Sequence, residues 1–204
     1  MRLLTLAGIV VLSFTSIGAA PITYTITGQM DGFILPASCP TCAATIFTGS
    51  DFTFVFDADT SGIFAVTSTV LANPVLSSSF TISGEGSGTF AESLLVAGSP
   101  GGGAAGFTDL TFANSIVVIN PALVGFGLAT DIGPVSNTVA SLISTQVWAT
   151  SLGTLADLDA FNLTFSAALD TPEPATVGLV GMTGILLIAL AGVRRRIAKR
   201  PPMG

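Results

Sequence analysis

A strict two-residue alternation of apolar and polar side chains constrains the fold more than any other feature of the chain. Ile22, Tyr24 and Ile26 alternate with Thr23, Thr25 and Thr27. Phe52, Phe54 and Phe56 alternate with Asp51, Thr53, Val55 and Asp57. Phe161, Leu163, Phe165 and Ala167 alternate with Asn162, Thr164 and Ser166. Successive side chains of an extended strand point to opposite faces, so this period buries one face and wets the other. The abundant threonines and phenylalanines also favour strands. Further strands are expected over 64–70, 76–83, 87–96, 115–119 and 139–150. Asp31-Gly32, Asn73-Pro74, Ser83-Gly84, Asn120-Pro121 and Gly133-Pro134 read as turns between them. The glycine-rich run 98–106 reads as a mobile loop, and a short helix is expected near 154–159. Many short strands at this spacing predict an all-β body, an antiparallel β-sandwich or jelly roll.

The two ends are of a different character. Arg2, the apolar stretch 3–14 and the small residues Ser16-Ile17-Gly18-Ala19-Ala20 have the form of a secretory signal peptide over 1–20. A cut after Ala20 satisfies the small-x-small rule but leaves Pro21 beside the scissile bond. A cut after Ala19 avoids the proline but places Ile17 at the third position back. The mature chain is therefore expected to begin at Ala20 or Pro21. Near the other end, 175–193 holds nineteen residues without a charge. As a helix it would span about 28 Å, close to a hydrocarbon core of about 30 Å. Arg194, Arg195, Arg196, Lys199 and Arg200 come next, a basic tail over 194–200 that stops transfer and stays cytoplasmic. The body, 21–170, is then on the exported side, in the orientation a signal peptide also demands.

Thr171-Pro172-Glu173-Pro174-Ala175-Thr176 directly precedes the apolar stretch. Its two prolines resist helix and keep the backbone extended, as a protease requires. The order Pro-Glu-Pro, Gly-rich apolar span and arginine cluster over 171–200 resembles the PEP-CTERM sorting domain. The resemblance implies a substrate of exosortase, a membrane-embedded cysteine protease-transpeptidase of Gram-negative bacteria that make exopolysaccharide. It also implies that Pro172, Glu173 and Pro174 are the recognition motif. The tail 197–204 continues further than is usual in that family. A shared sorting signal carries no information about the fold of the body.

Charge placement narrows the function. All six basic residues are terminal, and no Lys, Arg or His lies between Leu3 and Val193. The body carries eleven carboxylates, from Asp31 to Asp170, and no cation to oppose them. Such a polyanion cannot neutralise phosphates, so nucleic acid is excluded as a partner. Without His there is no Ser-His or Cys-His relay. Without Lys or Arg there is no Schiff base and no cationic oxyanion stabiliser. Only paired-carboxylate chemistry of the glycosidase type survives, and nothing in the spacing selects a pair.

Three constellations remain. Cys39 and Cys42 are the only cysteines. With no second pair and no His, zinc is disfavoured, and a disulfide clamping a loop is expected in an oxidising compartment. Asp57, Asp59 and Ser61 place oxygens at positions one, three and five, with Gly62 at six, as in the opening of a calcium loop. Position twelve is Ser68 instead of a bidentate Glu, so the expected calcium affinity is weak, and a hairpin turn is the plainer expectation. Sugar-binding platforms use exposed aromatic faces, but Tyr24 and Trp148 lie in strands that read as core, and the body phenylalanines alternate as buried residues do. The expectation is an exported, non-catalytic surface or extracellular-matrix protein of an exopolysaccharide-rich layer or biofilm. A carbohydrate-binding or calcium-dependent adhesin is the alternative, and a carboxylate glycoside hydrolase the remaining one. Signal peptidase, exosortase and the membrane are the expected processing partners, with exopolysaccharide as a candidate ligand.

Overall fold

A computed structural model describes residues 19–37, 42–138 and 146–170. The expected signal peptide up to residue 18, the stretch 139–145 and the expected sorting cassette from residue 171 onward lie outside the described residues. What is described is all-β, with every strand pairing antiparallel and no α-helix.

The alternating segments form the long strands. β1 (Pro21–Pro36) lies between β2 (Thr45–Asp59) and β11 (Gly153–Leu169), paired along nearly its whole length with both. β2 continues to β4 (Leu71–Ile82), which also carries the short strands β3 (Phe64–Ala65) and β5 (Gly86–Gly88). Beyond β4 come β6 (Leu94–Ser99), β7 (Ala104–Asp109) and β8 (Ser115–Ile119). On the far side, β11 pairs with β9 (Ile132–Ser136) and β10 (Gln146–Thr150).

The sheet is nearly closed. Among the described residues, side chains join β8 to the opposite edge where no ladder does. Ile119 N donates to Asn137 Oδ1 at 3.0 Å, Asn120 Nδ2 donates to Ser136 O at 2.7 Å, and Val147 N donates to Asn114 Oδ1 at 3.2 Å. Such bonds occupy backbone groups that an open edge would offer to another chain.

The inner faces meet in an aromatic core. Phe54 meets Phe80, Phe90 and Phe107 edge-on, with centroids 6.3, 5.2 and 5.5 Å away. Phe107 also packs against Trp148 at 4.8 Å. These rings join β2, β4, β7 and β10, and each pair adds about 0.5–1.5 kcal/mol beyond the area it buries. Tyr24 is fully buried; its hydroxyl donates to Leu128 O at 2.6 Å and accepts from Asn73 Nδ2 at 2.9 Å. Burial pushes the Tyr24 phenol up to about 12, against the opposing pull of the Asn73 bond. Tyr24 and Trp148 are thus core residues, as their strands indicated. Four phenylalanines depart from the expected burial: Phe64 and Phe112 are exposed, and Phe33 and Phe161 are only half-buried.

Several expected boundaries are corrected. The segment 154–159 is strand, not helix, because it forms the start of β11 between β1 and β10. Asp31-Gly32 is not a turn; it lies inside β1 where the register with β11 shifts. Asn73-Pro74 lies inside β4, where the strand passes from its partner β2 to its partner β6. Gly133-Pro134 lies inside β9, a short strand that among the described residues pairs only with β11, where a missing N–H is tolerated. The glycine-rich run is mostly paired: Gly98 belongs to β6 and 104–106 to β7, leaving only 100–103 as the turn. Of the segment 64–70 only Phe64–Ala65 is strand, and 87–96 is interrupted between β5 and β6.

The turn after β7 is organised by one carboxylate. Asp109 Oδ1 accepts from Thr111 N, Thr111 Oγ1 and Ala113 N, and Oδ2 accepts from Asn114 N and Nδ2, all within 2.8–3.2 Å. Burial raises the Asp109 carboxyl, but the bonds from Thr111, Asn114 and Ala113 outweigh it and hold the group below its ordinary value of 3.8. Its stabilising contribution is therefore present above that value and lost as pH falls through the lower folded one. Asp109→Asn puts an amide donor against backbone donors, so the expected loss at neutral pH is about 2–4 kcal/mol. Thermal unfolding of the two proteins at pH 7 and pH 3 checks this; the gap narrows at the lower pH.

Candidate functional site

The outer face of β11, β1, β2 and β4 is built by the polar half of the alternation. Register, not sequence proximity, lines up its side chains. Ser136 pairs with Thr164, Thr164 with Thr27, Thr27 with Thr53, Thr53 with Thr81, and Thr81 with Ser87. One hydroxyl row therefore crosses β9, β11, β1, β2, β4 and β5. At about 4.8 Å per strand the row is roughly 24 Å long. A parallel row holds Ser166, Thr25, Val55 and Ser79, and the next holds Thr23, Asp57 and Ser77. All these positions are partly or fully exposed.

On the other side of the long row a groove of about 460 Å³ is lined by Thr27, Gln29, Asp51, Thr53 and Asn162, among others. Asn162 sits at φ 54°, at the register shift between β1 and β11. From there its Nδ2 donates to Gln29 Oε1 at 2.8 Å, and Gln29 Nε2 donates to Asp51 Oδ1 at 3.1 Å. The face thus ends in an amide relay onto a carboxylate. At its other end Asp57 accepts from Thr23 Oγ1 at 2.8 Å and Ser77 Oγ at 2.6 Å.

Where the strands shift register, one carboxylate is turned inward. Asp157 is 2% exposed, pairs with Gly32 and Gln146 across the sheet, and leaves Oδ1 without a hydrogen-bond partner. Burial, with the neighbouring charges of Asp159 and Asp31, pushes its carboxyl up to about 7, against one bond from the Asp159 backbone. A raised carboxyl is what a general acid needs. The three grooves beside β1 and β11 are lined by other residues, and Asp157 itself is buried.

The residues singled out from sequence are scattered. Asp59 Oδ1 accepts from Ser61 N at 2.7 Å and caps the 3-10 turn Thr60–Gly62, so the expected calcium loop is the local turn at the end of β2. Asp31 accepts from Gly49 N at 2.6 Å. It stands eight residues along β1 from Thr23, the partner of Asp57, so it lies roughly 26 Å from that pair. Asp109 is occupied by its own turn. Among the described residues no group of three or more Asp, Glu, Cys or His side chains is placed to hold a metal ion. Cys42 is disulfide-bonded, and Cys39 lies outside the described residues. Pro172, Glu173, Pro174, Arg194, Arg195 and Arg196 also lie outside them.

Sequence reading missed the continuous row. Thr27, Thr53 and Thr81 are visible individually as outward residues, but their alignment depends on the pairing order. It also missed Asp157, although that residue shares strand parity with buried Leu155. Comparison of the chain with protein-family models, with curated proteins and with solved structures finds no match.

Proposed function

We propose that the chain is an exported surface or extracellular-matrix protein, non-catalytic, sorted by exosortase through its C-terminal cassette. In this reading the body is a β-sandwich or jelly roll that exosortase releases from its membrane helix. The supporting observation is the outer face: exposed hydroxyls aligned over six strands, with no cation and no nucleophile–base pair beside them. A face of this kind is stable in contact with a hydrated matrix and has no chemistry to perform. The same face favours the second reading, a carbohydrate-binding adhesin, over a glycoside hydrolase: among the described residues the one carboxyl shifted upward, Asp157, is buried.

Two epitopes test the sorting half. One goes after Gly101, where a side chain would meet open space, and the other after Gly204. In a host with active exosortase the two epitopes should end on separate polypeptides. Glu173→Ala should leave insertion intact and accumulate full-length protein in the inner membrane. Replacing Arg194, Arg195 and Arg196 by serine should abolish retention before the cut, because the arginines are what makes the helix end costly to translocate. Both epitopes persisting on one membrane-bound polypeptide would replace this reading with a plain tail anchor.

A further inference from the structure

We propose that the hydroxyl face binds a cationic polyhydroxyl polymer, a glycan of amino sugars carrying free ammonium groups. This rests on the reading of an exported surface protein and names the partner of its outer face.

Shape, surface chemistry and charge lead to this occupant. The row Ser136, Thr164, Thr27, Thr53, Thr81 and Ser87 is long and continuous. A sheet twists by about 20–25° per strand, so a row six strands wide turns through roughly 100°. A rigid planar surface cannot touch all of it, whereas a flexible chain can follow it. The central hydroxyls of Thr27 and Thr53 are committed to no side-chain bond, so they are free to meet the hydroxyls of a ligand.

Those hydroxyls alone cannot hold a sugar chain. Exchanging water for sugar hydroxyls yields little net free energy per bond. The usual supplement is stacking on an exposed Trp or Tyr, but Trp148 and Tyr24 are fully buried. The remaining supplement is charge. Asp51 and Asp57 are exposed on β2, to either side of Thr53, and the body carries no Lys, Arg or His side chain. An anionic polymer is repelled, a neutral one gains only weak bonds, and an ammonium-bearing one gains charge-assisted bonds. Hydroxyl row and flanking carboxylates together match alternating hydroxyl and ammonium groups.

The test titrates the full chain, held in detergent, with three probes. They are a deacetylated glucosamine oligomer long enough to cross the face, its fully N-acetylated counterpart, and a polylysine of equal charge. The expected order places the deacetylated oligomer at least about tenfold above the acetylated one, with binding that weakens as salt rises. The variant Thr27→Val with Thr53→Val removes two hydroxyls while keeping strong strand formers, so it should melt normally. It should weaken the oligomer about tenfold and leave polylysine unchanged, and serine at both positions should restore binding. Asp51→Asn should weaken both cationic probes. Equal binding of the acetylated oligomer, undiminished binding by the valine variant, or no binding at all overturns the proposal. If binding fails while the two epitopes still separate in cells, the sorting reading stands and only the partner is wrong.

Discussion

Asp157→Asn should stabilise the body at pH 8 by about 2–4 kcal/mol and abolish most of its pH dependence between pH 4 and pH 7. The reason is the buried carboxyl on β11, with one oxygen unbonded and its ionisation pushed up to about 7. The unfolded chain titrates this group near its ordinary 3.8. Between those values the folded state holds a proton that the unfolded state has released. Stability is therefore highest below the unfolded value, falls as pH rises towards the folded value, and is level above it. About three pH units at 1.36 kcal/mol each give about 4 kcal/mol as the ceiling. An amide keeps the acceptor for the Asp159 N–H and carries no charge, but its buried NH2 lacks a partner, which lowers the gain. At pH 4 the same substitution should be neutral or slightly destabilising. Unfolding midpoints of both proteins across pH 4–9 check the sign. Parallel profiles, with the wild type no weaker at pH 8 than at pH 4, would show that Asp157 ionises as an ordinary exposed carboxylate.

Gly153→Ala should destabilise by about 3 kcal/mol or more, the largest loss expected from adding one methyl group. Gly153 opens β11 immediately after the two-residue link from β10, and it pairs with Thr150 on one side and Pro36 on the other. Its φ is +130°, and a Cβ there would lie 1.9 Å from Leu35 O and 2.6 Å from Ala37 N. Both atoms are backbone, so relief requires β1 and β11 to part where they join. Gly101→Ala is the control, since nothing lies within 4 Å of the position, and it should shift stability by less than about 0.5 kcal/mol. Denaturant midpoints of the two variants measure the contrast. Equal midpoints would mean that the hairpin has room that the geometry denies.

Strand existence was legible wherever period two ran unbroken. Ile22, Tyr24 and Ile26 are all fully buried, as their spacing required, and 115–119 coincides with β8. The failures have two causes, a register shift and the double role of glycine. At the start of β11, Asp31 pairs with Asp159 and Gly32 with Asp157, so Leu158 is an extra residue. One extra residue reverses the parity of the strand beyond it, and the mixed apolar-acidic pattern then imitates a helix. Composition alone places Gly106 in a loop. In the fold its missing Cβ lets β8 approach, since a methyl group there would lie 2.0 Å from Ile116 O. Glycine marks both free turns and tight strand contacts, and only the tertiary neighbour distinguishes them. The hydroxyl row was legible as polarity but not as a row. Strand order brings β9 and β5 to opposite ends of it, and strand order is set by long-range packing.

Export of the body and its release from the helix are tested most directly by the intact mass of the protein recovered from the cell surface. The expected species is a chain beginning at Ala20 or Pro21 and ending near Pro172-Glu173-Pro174, with any added mass on that new C-terminus. A surface species that retains Arg194, Arg195 and Arg196 would contradict both the cut and the sorting role of the cassette.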